Sequence, residues 1–125
     1  MSEGHESRFK IDAFTPETIP LARLAEYMGD LAVVLGEINN VHFVRIEKGS
    51  AVLVQRIDDV ALPKVRERVT GVRLGSAPPE AMRAFRQMNK RLKDDNSIGL
   101  LSEDSDVEIL RFPGKETEEP VTYGP

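Results

Sequence analysis

The sequence contains no cysteine and no tryptophan, and only two histidines. The missing thiols exclude disulfides, iron–sulfur clusters, cysteine zinc sites and cysteine nucleophiles together, which leaves His5 and His42 as the only imidazoles able to serve as ligand or base. No window approaches the 18 consecutive apolar residues of a membrane span. Residues 1–10, MSEGHESRFK, are too polar and acidic for a secretory signal, so a cytoplasmic protein with no membrane contact is expected. The nine glycines do not gather into a phosphate loop, since neither G-x-G-x-x-G nor G-x-x-x-x-G-K occurs, and no nucleotide or other cofactor is expected.

What remains is one domain's worth of chain: 125 residues, 40% of them apolar. A chain of this size can bury roughly two-thirds of its unfolded surface, enough for a core of its own. Residues 1–8 carry charge, Ser and Gly and read as a flexible lead. Residues 115–125 combine acids with Pro and Gly and read as an acidic tail unable to repay its ordering entropy. A single domain over 9–114 lies between them.

Within it, Leu21, Leu24, Ala25, Met28, Leu31, Ala32, Leu35 and Ile38 step by three and four and predict a helix over 19–38. Residues 41–57 change to β-branched and aromatic composition around Lys48-Gly49-Ser50, the pattern of a hairpin. Helices over 60–74 and 79–95 follow, the first capped by Asp58-Asp59 and the second announced by Ser76-Ala-Pro-Pro. Met82, Phe85, Met88 and Leu92 supply the apolar stripe of the third helix. Two short β runs at 98–112, separated by an acidic turn, form a second hairpin. The order is α-β-β-α-α-β-β. It lacks the strand–helix–strand alternation of a parallel sheet, so the expected class is α+β, with an antiparallel sheet from the two hairpins and three helices packed on it.

The net charge of −4 is strongly blocked. Residues 64–93 hold nine bases against two acids, a surplus of +7, while 1–63 carry −4 and 94–125 carry −7. On the third helix Arg83, Arg86, Lys90 and Lys93 fall within about an 80° arc beside the apolar stripe and form a basic strip. Functionally this is an anion-facing helix, suited to nucleic acid, an acidic protein or a phosphorylated ligand. The ordinary alternative, and the expected one, is a solvated face whose charges are satisfied by the −7 block of the same molecule.

Other candidates are weaker. By alternation His42 shares a strand face with Val44 and Ile46 and reads as a partly buried, hydrogen-bonded histidine with no carboxylate on its own face. Ser50 fits a turn and not a nucleophile elbow. Asp58-Asp59, Asp94-Asp95-Asn96 and Glu103-Asp104-Ser105-Asp106 lack calcium-loop spacing, so no metal site is expected. Asp94 and Asp95 face the negative end of a helix dipole, a cost that pairing with Lys90 and Arg91 at i,i+4 would offset. The resulting expectation is a small non-catalytic protein-interaction or accessory module. A homodimer is expected through edge strands carrying Val41-Phe43 or Ile109-Leu110-Phe112. Binding of nucleic acid or another polyanion by the basic strip is the alternative, and a hydrolase or transferase built on His42 is the weakest reading.

Overall fold

Inward and outward residues alternate from the first turns of the chain, with Ser7, Phe9 and Ile11 on one side and Glu6, Arg8 and Lys10 on the other. In the computed structural model, which describes residues 4–103 and 107–117, this segment is strand β1 (Gly4–Ile11). The chain continues through α1 (Leu21–Leu35), β2 (Val41–Glu47), β3 (Ala51–Asp58), a 3-10 turn (Asp59–Ala61), α2 (Leu62–Leu74) and α3 (Pro79–Asp94). It closes with β4 (Gly99–Glu103), β5 (Val107–Phe112) and a 3-10 turn (Gly114–Glu116). The five strands pair antiparallel in the order β2-β3-β1-β4-β5, so the fold is α+β.

The expected hairpins and helices are present, and the order gains a strand at its start. β1 lies at the centre of the sheet, Phe9 standing opposite Leu53 on one side and Leu101 on the other. From Gly4 onward the expectation of a flexible lead is therefore overturned, while residues 1–3 lie outside the described residues. The reason is polar pairing on both faces. Inward-facing Ser7 donates its hydroxyl to Gln55 Oε1 at 3.2 Å, and outward-facing Arg8 donates to Glu6 and Glu47 at 3.2 Å each. At the other end, Gly114–Glu116 forms a turn in which the Gly114 N–H donates to Asn89 Oδ1 on α3, and Lys115 N–H to the Ser97 carbonyl. The rest of the predicted acidic tail, 118–125, lies outside the described residues, as do 104–106 of the acidic turn.

The helices cover the sheet face that bears Phe9, Leu53 and Leu101. Phe9 meets Phe112 edge-on with ring centres 5.1 Å apart, and Phe112 in turn meets Phe85 of α3 at 5.0 Å. α1 is shorter than expected, because Gly36 (φ 69°) and Glu37 (φ 47°) turn left-handed and end it. Its buried stripe is also rotated: Tyr27, Leu31, Val34 and Leu35 face the core, while Ala25 and Ala32 are exposed. Leu21 and Ile38, at the ends of the expected stripe, are 81% and 77% exposed. Among the described residues, the opposite sheet face carries no helix. There the stems of Arg8 and Arg45, in register on either side of Val54, leave that valine fully buried beneath them.

Candidate functional site

α3 turns Ala81, Ala84, Met88 and Leu92 inward, with Met82 and Phe85 half-buried at the margins. That period leaves Arg83, Arg86 and Lys90 on the outer line, at spacings of three and four residues that confine them to about 60° of arc and about 10 Å of helix length. The helix is clamped to α1 at its C-terminal half. Asp95 accepts the buried Tyr27 hydroxyl at 2.6 Å and the Arg23 guanidinium at 2.9 and 3.1 Å. Arg91 donates to Glu26 at 3.1 Å and to Asp30. The i,i+4 pairing expected of Arg91 with Asp95 is thus replaced by contacts to the neighbouring helix, and these account for an acid in an unfavourable last turn. Burial, reinforced by the hydrogen bond to Asp95, pushes the Tyr27 hydroxyl well above its ordinary titration range.

The bases of the +7 segment meet different fates. Lys64 lies 3.9 Å from Glu37, Arg66 forms a two-pronged pair with Glu103 at 2.9 and 3.0 Å, and Arg68 caps the Val33 carbonyl beside Glu80. Arg83, Arg86 and Lys90 are exposed and have no hydrogen bond or ion pair among the described residues, and Lys93 does not share that freedom. Neutralisation by the −7 block was the expectation. Arg66 pairs into that block through Glu103, whereas Lys64, Arg68 and Arg91 pair with Glu37, Glu80 and Glu26 outside it. Asp95 serves Arg23 and Tyr27, and Glu116 serves Arg111. Three of the four predicted strip residues therefore form a patch of unspent positive charge on a rigid helix.

His42 is hydrogen-bonded, and the partner corrects the sequence reading: Nε2 lies 2.9 Å from Asp58 Oδ2. A bulge at Val44 is the cause. His42 stands opposite Arg56, but after the extra residue Ile46 stands opposite Leu53, so His42 and Ile46 fall on opposite faces and Asp58 is the diagonal neighbour of the imidazole. The imidazole beside it holds the Asp58 carboxyl below its usual range. No hydroxyl bonds to this pair among the described residues, so a nucleophile is not assembled around it. Nor do the described residues bring together three or more His, Asp or Glu able to hold a metal ion.

The edges differ from expectation as well. Leu110 and Phe112 belong to the core and offer no apolar surface for a two-fold contact, whereas Phe43 and Val44 of β2 are 54% and 38% exposed. Both outer strands carry an extra residue, Val44 in β2 and Ile109 in β5, a device that breaks the regular ladder of a free edge. A concavity of about 500 Å³ on the helix-free face, lined by Lys10 among others, has no counterpart in the sequence reading because it depends on β1. The alternation of residues 6–11 was the available signal. In comparisons with known proteins, no family model, curated protein or solved structure matches the chain.

Proposed function

We propose that the protein is a binding module that engages an acidic protein partner through the outer face of α3. The observation that carries this reading is the alignment of Arg83, Arg86 and Lys90 without counter-ions on one line of α3, when Lys64, Arg66, Arg68 and Arg91 of the same segment are paired and the remaining unpaired base, Arg73, stands alone on α2. Exposed unpaired bases of like charge at i,i+3 and i,i+4 favour folding little, and on a helix clamped at Arg91 and Asp95 they present their charge along one line. The patch suits a protein better than a nucleic acid. It is about 10 Å long, Glu80 and Asp94 flank it, its aromatic neighbour Phe85 is turned toward Phe112, and the whole chain is acidic.

A fluorescent poly-glutamate peptide at about 50 mM salt, a low ionic strength that favours surface electrostatics, is the probe. The protein should bind it, and R83Q/R86Q/K90Q should bind at least about tenfold more weakly, a loss of about 1.4 kcal/mol or more. No peptide binding would contradict the proposal. So would tighter binding of duplex DNA with a log-log salt slope near −3, which would assign the strip to phosphates. A homodimer through β2 is a second reading, supported by the exposure of Phe43 and Val44. Sedimentation showing only a 13.9 kDa species at micromolar concentration would remove it.

A further inference from the structure

On the three inner strands every charged side chain but one has a partner of opposite sign. Arg8 and Glu6 pair at 3.2 Å, Arg56 lies 3.7 Å from Asp58, and Glu103 holds Arg66. The exception is Lys10. It projects from β1 at the centre of the helix-free face, flanked in register by Val52 of β3 and Leu100 of β4, and it is exposed and unpaired among the described residues. An unpaired lysine is ordinary on a loop. In the middle of a five-stranded sheet, between two half-buried apolar side chains, it leaves a charge without local compensation.

The surrounding concavity of about 500 Å³ falls within the size range of small-ligand sites. Lys48 and Ser50, from the turn between β2 and β3, and Ser102 of β4 also line it, and the side chains of the three have no hydrogen-bond or ion-pair partner among the described residues. Two lysines and two serines thus line the concavity with Val52 and Leu100, while the charges of Arg8 and Glu47, which also line it, are paired with each other. Such a set matches a compact group with several acceptor oxygens and a charge near −2. A phosphomonoester has a charge of about −1.5 to −2 and three acceptor oxygens. A carboxylate is matched best by a free guanidinium fork, and Arg8 and Arg45 already have theirs engaged by Glu6 and Glu47. Glu108, in register opposite Ser102, adds a rim acid that disfavours a second phosphate.

We propose that this concavity binds a small phosphomonoester with an apolar body. Lys10 and Lys48 neutralise the phosphate, Ser50 and Ser102 donate to its oxygens, and the apolar part lies on Val52 and Leu100. The test is an amide-shift titration of the full chain with phenyl phosphate, benzoate and inorganic phosphate. At about 10 mM, enough to populate a millimolar site, phenyl phosphate should shift the amides of Lys10, Ser50 and Ser102 saturably, with inorganic phosphate weaker and benzoate silent. K10Q/K48Q should lose about tenfold or more in affinity, and R83Q/R86Q/K90Q should lose none, which separates this site from the α3 strip. An absence of saturable shifts, benzoate binding as tight as phenyl phosphate, or unchanged affinity in K10Q/K48Q would overturn the proposal. Both lysines are exposed, so the double variant is expected to fold, and its dispersed amide spectrum confirms that in the same experiment.

Discussion

Asp95 joins two helices through two hydrogen bonds and a further ion-pair contact to Arg23, one of the hydrogen bonds coming from a hydroxyl on a fully buried ring. Replacing it with alanine leaves the Tyr27 hydroxyl unsatisfied inside the protein, and a cost of about 2 kcal/mol is expected in urea unfolding. Y27F removes the donor but leaves Asp95 with Arg23, so about 1 kcal/mol is expected. The same pair predicts a response to alkali. Tyr27 titrates above its ordinary value in the folded protein because burial and the hydrogen bond to Asp95 favour the neutral phenol. Its contribution is therefore complete below the unfolded value near 10 and is lost as pH rises from there toward the folded value. Unfolding free energy measured between about pH 8 and 11 should fall more steeply in the parent than in Y27F, and equal slopes would refute the assignment. None of this pairing was legible in the sequence. Asp95 there is only an acid at the wrong end of a dipole, and nothing local reveals that α1 crosses it with Arg23 and Tyr27.

At the scale of elements, the helices and hairpins were readable because their apolar spacing is local, and they appear within a few residues of the expected bounds. The alternation of residues 6–11 is legible, but its place at the centre of the sheet rests on chemistry that only the assembled sheet supplies: Ser7 is acceptable inside because Gln55 meets it, and Arg8 is acceptable mid-sheet because Glu6 and Glu47 flank it. The bulge at Val44 was invisible for a similar reason, since a register break is a property of two strands. Deleting residues 1–8 therefore removes the start of the central strand, and the truncated chain should lose its cooperative unfolding transition by circular dichroism. Phe9→Ala should cost about 4 kcal/mol, because its ring is fully buried against Phe112 and Tyr27. A truncated chain that melts like the parent would place the strand outside the cooperative unit.

For the whole molecule, charge blocking was legible and its resolution was not. The +7 segment was expected to neutralise against the acids that follow it, yet Arg91 turns to α1, Arg68 to the Val33 carbonyl and Lys64 to Glu37. Three-dimensional packing decides which bases find partners, and it leaves Arg83, Arg86 and Lys90 exposed along α3. Because these three are exposed and make no hydrogen bond or ion pair among the described residues, R83Q/R86Q/K90Q should unfold within about 0.5 kcal/mol of the parent. The most direct measurement of the binding role is an amide-shift map of the full chain with poly-glutamate. Perturbations are predicted along Arg83, Arg86, Gln87 and Lys90, with the helix-free sheet face unchanged. Perturbations confined to that sheet face, or centred on the paired bases of α2, would contradict a docking surface on α3.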